Sequence, residues 1–300
     1  HLSTFPSALP SAPTKDLLRH GMTMIKKILG ALALTLSIGG IAHAADGEYP
    51  IESAPNRITD LAALQNGAKL FVNYCLNCHS ANAMRYNKLT DLGITEEEIK
   101  KNLLFTSDKV GDTMSIAMRP ADSNKWFGTT PPDLSVIARA KSANLSHSGT
   151  DYIYTYLRTF YRDTARPTGW DNLAFPSVGM PHAMWELQGP VKTQRVKVSL
   201  ENVDGKEQWV RTTTDIDENG FHTVNTEVLN GYSGPATETT TLTPLDPERQ
   251  AQFDSDVADL SNFLGWMAEP VQTFRKQIGV AVMLFLFLFF FVAWRLNKEY

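Results

Sequence analysis

The chain has 300 residues, long enough for one large domain or two small ones, with 43% hydrophobic and 20% charged residues. Its formal net charge is −4; setting aside residues 1–44, with four basic groups and one acid, leaves 24 basic and 31 acidic side chains, a net of −7. That acidic balance argues against nucleic acid, whose binding needs cationic contacts to phosphate, and two cysteines three positions apart argue against a disulfide framework.

Residues 1–23 lack an initial methionine and are rich in Ser, Pro and Ala, and read as an upstream extension outside the mature protein. Met24-Ile25-Lys26-Lys27, the apolar stretch Ile28 to Ile41 and Ala42-His43-Ala44 have the three parts of a secretory signal peptide, placed at 24–44. The mature chain then opens with a loop and a helix. Thr59 or Asp60 can cap it, and Leu61, Leu64, Ala68, Phe71 and Val72 share one face. That helix runs into Cys75.

A short helix is expected at Glu96-Glu97-Glu98, followed by a Gly/Pro/Asn-rich stretch through Pro132. A further helix is expected from Asp151 to Arg162, although the Tyr152/Tyr154/Tyr156 alternation also permits a strand. From about 188 to 245 the texture is β-rich: Val196, Val198 and Leu200 alternate with polar residues, and Asp204-Gly205 and Asn219-Gly220 are hairpin-turn pairs. Asp246-Pro247-Glu248 restarts a helix, with Phe253, Val257, Leu260, Leu264 and Met267 as its apolar stripe. It is expected to pack across the helix before Cys75.

The 18 uncharged residues 277–294 lie between Lys276 and Arg295. At about 1.5 Å per residue they cover roughly 27 Å, close to the hydrocarbon thickness of a bilayer. The Leu284–Val292 run has no polar side, as a membrane span requires. With the signal peptide, this exports residues 45–276 across the membrane and leaves 295–300 in the cytoplasm.

Cys75-Leu76-Asn77-Cys78-His79 has the form of a c-type haem attachment site. Two thiols at this spacing can add to the two vinyl groups of a porphyrin, and the adjacent histidine can bind its iron. A zinc site would need two more ligands at matching spacing, and a redox pair would be expected within a βαβ pattern. The other axial position has candidates in Met84, Met114, Met118, Met180, Met184, Met267, His147, His182 and His222. Met180, on the Pro/Gly-punctuated loop Phe175 to Pro181, is preferred, with Met184 and His182 as rivals.

These segments together resemble cytochrome c1, the haem subunit of the bacterial quinol:cytochrome c oxidoreductase. The resemblance rests on Cys75 to Ser80, Met84-Arg85-Tyr86-Asn87, Met118-Arg119-Pro120, Pro131 to Ser135, Val178 to Pro181, Phe263 to Pro270 and the C-terminal anchor. It implies a mainly α, class I cytochrome c-like domain with a β-rich insertion and one C-terminal transmembrane helix. It implies one covalent haem c, held by Cys75 and Cys78 with His79 and Met180 as axial ligands, and no catalytic residues. It further implies that Arg119 meets a haem propionate and that Pro132, in the stretch Pro131 to Ser135, lines the pocket; Trp126 and Phe127 are candidates for its wall. The expected partners are cytochrome b, a Rieske iron–sulfur protein and a soluble or tethered cytochrome c acceptor. The chain would then be an electron-transfer subunit and no enzyme by itself. A membrane-anchored cytochrome c serving a terminal oxidase, or a haem sensor with an open iron site, would share the attachment motif. Pro181-His182-Ala183-Met184 departs from mitochondrial members, and the β-rich stretch is long for the family.

Overall fold

The computed structural model describes residues 49–143 and 146–299. The expected extension at 1–23 and signal peptide at 24–44 lie outside the described residues.

Helix α1 (Leu61–Leu70) starts where Asp60 accepts hydrogen bonds from the Ala62 and Ala63 amides at 3.0 and 3.2 Å. This satisfies two of the otherwise unpaired N–H groups of a first helical turn. Leu64, Ala68, Phe71 and Val72 are buried, as their spacing predicts. Leu61 is exposed instead, because the helix meets its neighbour closest at Gly67, nearly two turns further on.

That neighbour is α7 (Pro247–Ala268), capped by Asp246 through the Arg249 amide at 3.0 Å. Its whole predicted stripe, from Phe253 to Met267, is buried. A Cβ on Gly67 would lie 2.4 Å from the Asp259 carbonyl oxygen and 2.6 Å from Phe263 Cβ, so only glycine permits this crossing. Polar contacts fix its register. The Asn66 amide donates to Asp256 and Asp259 at 3.0 and 2.9 Å, and the Arg57 guanidinium pairs with Asp259. Phe71 and Phe263 meet with ring centroids 5.7 Å apart beside the crossing. Side chains of this size stabilise by about 1.5–3 kcal/mol each when buried, so the crossing is the anchor of the core.

Between these helices in sequence lie short elements, some of which, from Pro120 onward, contribute to a cleft. Strand β1 (Ala81–Arg85) pairs antiparallel with β2 (Thr113–Met114), and α2 (Glu96–Asn102) carries a Thr95/Glu98 capping box. Helix α3 (Pro120–Phe127) lies inside the stretch expected to be irregular; Pro120 starts it and Gly128 ends it. Helix α4 (Ile137–Ala140) leads to α5 (Gly149–Arg158), which begins with a Ser148/Asp151 capping box. The helix expected to reach Arg162 stops at Arg158, and β3 (Phe160–Arg162) then pairs with β4 (Trp170–Asn172). Tyr152, Tyr154 and Tyr156 are therefore helical.

After the short helix α6 (Trp185–Gln188) come β5 (Val191–Val203), β6 (Lys206–Ile216), β7 (His222–Val228) and β8 (Thr237–Pro244). They form one antiparallel sheet in the order β7-β6-β5-β8. Asp204 and Gly205, both with positive φ, make the β5–β6 turn as the sequence predicts. The sheet is tied to the β3–β4 hairpin by polar contacts. His222 Nε2 lies 2.8 Å from Asp163, the Thr164 amide donates to the Gly220 carbonyl at 3.0 Å, and Arg195 donates to the Tyr161 hydroxyl at 2.8 Å. The described residues thus combine helices with a four-stranded sheet larger than a hairpin pair.

Helix α8 (Gln272–Glu299) ends the chain. It is long and apolar enough to cross a membrane, and none of its residues is buried. Its exposed Leu and Phe side chains need an apolar surrounding, which fits a single-pass anchor.

Candidate haem site

The last turn of α1 widens into a π-helical turn over Phe71–Cys75, with the Leu76 amide donating to the Phe71 carbonyl at 3.0 Å. Such turns bulge the backbone, and they recur at functional sites. The chain then folds back on Cys75, whose carbonyl accepts from the Cys78 and His79 amides at 3.1 and 2.9 Å. This brings the two thiols and the imidazole onto one wall of the cleft. Both cysteines are unbridged. Burial, with a smaller contribution from Cys78, pushes the Cys75 thiol up to about 12, and burial also raises Cys78. Neither is the low-pKa thiolate of a dithiol oxidoreductase.

His79 is 9% exposed, and its Nδ1 lies 2.8 Å from the Pro132 carbonyl oxygen. A carbonyl only accepts, so Nδ1 carries the proton and Nε2 keeps its lone pair. Burial lowers the His79 pKa, with the Pro132 carbonyl and Asp133 working against it, so the ring is neutral at neutral pH. Asp133 holds the Pro131–Ser135 loop in place. Its carboxylate accepts from the Asn82 and Ser135 amides at 2.8 Å each. Burial raises its pKa, but these hydrogen bonds leave it below the ordinary carboxylate range.

The loop after β4 also lines the cleft. Asp171, buried and paired with Arg166 at 2.6 Å, accepts from the Ser177 amide at 2.7 Å. Asn172 accepts from the Phe175 amide at 2.9 Å. Ser177 has φ +62°, a conformation few non-glycine residues adopt. A Cβ on Gly179 would lie 2.9 Å from Thr129 Cγ2, so the two cleft loops touch there. Met180 follows, and its sulfur accepts from the Tyr156 hydroxyl at 3.4 Å. Burial raises the Tyr156 phenol well above its usual value, so it stays a donor.

Of the candidate sixth ligands, Met180, Met184 and His182 line the cleft. Met84, Met114 and Met267 are core residues, Met184 belongs to the same core while lining the cleft, and Met118 lines an adjoining pocket that shares Cys78, Thr130 and Pro131 with it. His222 is engaged with Asp163, and His147 stacks on Tyr152 outside the cleft lining. His182 is committed to packing: its ring stacks on Phe160 at 4.8 Å and its Nε2 lies 2.7 Å from Gln188. Burial lowers its pKa to about 4.

Arg119 and Trp126 are not among the residues lining the cleft. Arg119 stands at the N-cap position of α3 without a side-chain capping bond; its side chain is 78% exposed and pairs with Asp122 at 2.7 Å. Trp126 is exposed, while Phe127 does line the cleft. Lys141, which sequence reasoning passed over, is the only cationic side chain among the described lining residues. Its Nζ lies 4.9 Å above the Tyr152 ring. Tyr156 was also missed; its i, i+4 relation to Tyr152 was the available signal.

Two thiols, a neutral imidazole and the thioethers of Met180 and Met184 line one largely apolar cleft; such donors fit a covalently attached haem. Known proteins agree. The family model described as "Cytochrome C1 family" matches residues 53–188 and 243–300, passing over the segment that forms the four-stranded sheet. The chain is 38% identical over 279 residues to the ammonia monooxygenase gamma subunit of Nitrosomonas europaea, covering 93% of this chain and 98% of that protein. It is 38% identical over 277 residues to cytochrome c1 of Allochromatium vinosum, covering 92% and 98%. A cytochrome b/c1 of Bradyrhizobium diazoefficiens is 24% identical over 319 residues, covering 95% of this chain and 41% of that protein. The matched range in the first two leaves no room to omit the sheet. Proteins of this family bind one covalently attached haem c and serve electron transport. The chain belongs to the cytochrome c1 family.

Proposed function

We propose that this chain is the electron-transfer subunit of a bacterial quinol:cytochrome c oxidoreductase. It takes one electron at a time from a Rieske iron–sulfur protein and delivers it to a soluble or tethered c-type cytochrome. The observation that carries this is the convergence of Cys75, Cys78, His79 and Met180 on one apolar cleft. When bound, the haem supplies the one-electron couple; the chain holds, orients and tunes it. Cys75 and Cys78 fix it covalently. His79, oriented by the Pro132 carbonyl, would offer Nε2 to the iron, and Met180 would offer its sulfur. His/Met ligation favours the high potential of an electron carrier.

Arg119 remains the propionate partner that the resemblance implies, and Lys141, which lines the cleft, is a second cation able to serve a propionate. The fold is read as a class I cytochrome c-like domain over 45–276, carrying the sheet as an insertion and anchored by 277–294. The haem domain lies in the periplasm and 295–300 in the cytoplasm. A cytochrome b is the partner expected against the anchor, and the printed name of the Bradyrhizobium relative supports that assignment. Purification of the full chain from membranes in mild detergent tests the reading. Cytochrome b and a Rieske protein should co-purify with a haem-staining band of this chain. Recovery with a terminal oxidase and without either partner would overturn it.

A further inference from the structure

Two buried carboxylates of the β3–β4 hairpin share one arginine. Arg166 lies 2.6 Å from Asp171 and 3.8 Å from Asp163, and the two aspartates are 1% and 3% exposed. The other oxygen of Asp171 accepts from the Asn172 and Ser177 amides at 2.8 and 2.7 Å. Ser177 is the residue held at φ +62°, three positions before Met180. Asp163 has a further partner from outside the hairpin, His222 Nε2 at 2.8 Å. A carboxylate accepts, so this nitrogen carries the proton. His222 opens β7, and the turn before it sits directly on the hairpin. A Cβ on Gly220 would lie 3.0 Å from the Asp163 amide nitrogen, and the Gly220 carbonyl accepts from the Thr164 amide and hydroxyl at 3.0 and 2.7 Å. This corner belongs to the segment that the family model passes over.

We propose that His222 is a positioning residue for the methionine loop, through which the inserted sheet holds Met180 at the cleft. It satisfies Asp163 and so leaves Arg166 to hold Asp171. This rests on Met180 being the axial ligand. A buried carboxylate that loses its partner draws the nearest cation, because an unpaired buried charge is costly. Without His222, Arg166 moves from Asp171 toward Asp163. The Ser177 amide then loses a fixed acceptor, and its left-handed backbone conformation is free to relax. The loop that carries Met180 opens more readily.

The test is imidazole titration of the full ferric chain carrying its haem, followed at the long-wavelength band of methionine-ligated haem. Imidazole takes the methionine's place only when the loop opens, so its apparent affinity reports the open fraction. The His222 side chain is 30% exposed, and its replacement leaves the core untouched. His222→Ala should keep the band in the absence of imidazole and bind imidazole about tenfold more tightly, as the loss of one charge-assisted hydrogen bond allows. His222→Gln restores an N–H donor and should return toward the wild-type affinity. Asp163→Asn/His222→Ala should do the same, because a neutral side chain no longer draws Arg166. A His222 that only adds stability would shift thermal unfolding and leave imidazole affinity at the wild-type value; that result overturns the proposal. A double variant that opens as readily as His222→Ala also overturns it, because the loosening then comes from other contacts of the sheet. Met180→Leu keeps the two readings apart. If it abolishes the band, the axial assignment stands whatever the His222 variants do; if the band survives, that assignment fails and this proposal with it.

Discussion

The Nδ1 atom of His79 lies 2.8 Å from the Pro132 carbonyl oxygen, and this contact decides which ring nitrogen is left to bind a metal. The loop that supplies the carbonyl is itself held by Asp133, whose carboxylate accepts from the Asn82 and Ser135 amides. Imidazole orientation therefore depends on the carboxylate of the next residue, which fixes that loop.

That dependence gives a pH signature. In the folded chain Asp133 sits below its ordinary range despite burial. The unfolded chain then binds more protons between the two pKa values. The stabilisation is complete above the ordinary carboxylate range, near ~4, and is lost as pH falls through the depressed value. Urea denaturation of the wild type from pH ~5 to ~2 should show this loss. Asp133→Asn should flatten that part of the profile; identical pH dependence in both proteins would remove Asp133 from the account.

Lys141 and Arg119 make contrasting predictions. Removing a cation at the cleft favours the ferric state electrostatically, so Lys141→Met should lower the reduction potential. Arg119→Ala should lower it less, because that side chain is exposed and paired with Asp122. Redox titration of the two variants side by side decides the matter; the reverse ranking would make Arg119 the stronger propionate contact.

The α1–α7 crossing admits no side chain at Gly67. Gly67→Ala should destabilise the chain by about 1–3 kcal/mol through overpacking. Its Cβ would meet the backbone oxygen of Asp259, which no rotamer change can move. Chemical denaturation monitored at the haem would measure this, and a wild-type midpoint would mean that the helices separate freely.

Much of this was legible in the residues. The attachment motif, the α7 stripe, the caps at Asp60 and Asp246 and the Asp204-Gly205 turn are local signals, and local geometry obeyed them. The rest of the cleft was less legible. Met180 could be preferred because Pro and Gly punctuate its loop, but nothing nearby in sequence marks Tyr156, 24 positions away, as its hydrogen-bond donor. Lys141 and Arg119 are both single cations near turn signals; only the tertiary path of α3 and α4 separates them. Leu61 fits the helical stripe yet stays exposed, because periodicity does not say where a partner helix ends.

The sheet is separable by the same reasoning. The Leu245 amide donates to the Pro190 carbonyl at 3.0 Å, so the two ends of the sheet segment lie side by side. Replacing residues 191–244 with a short turn should keep the haem spectrum, because Met180 and its direct supports lie outside the excised segment. A chain that no longer incorporates haem would show that the contacts of the sheet with Asp163 and Tyr161 are needed to form the cleft.

The central claim is that Cys75 and Cys78 carry one haem covalently. Intact-mass measurement of the denatured chain purified from membranes tests it most directly, with Cys75→Ala/Cys78→Ala as its control. The account predicts the mass of the chain plus one haem, with haem found on the peptide spanning Cys75 to His79, and no such adduct in the double variant. A wild-type chain with both thiols free, from cells that attach haem to their other c-type cytochromes, would contradict it.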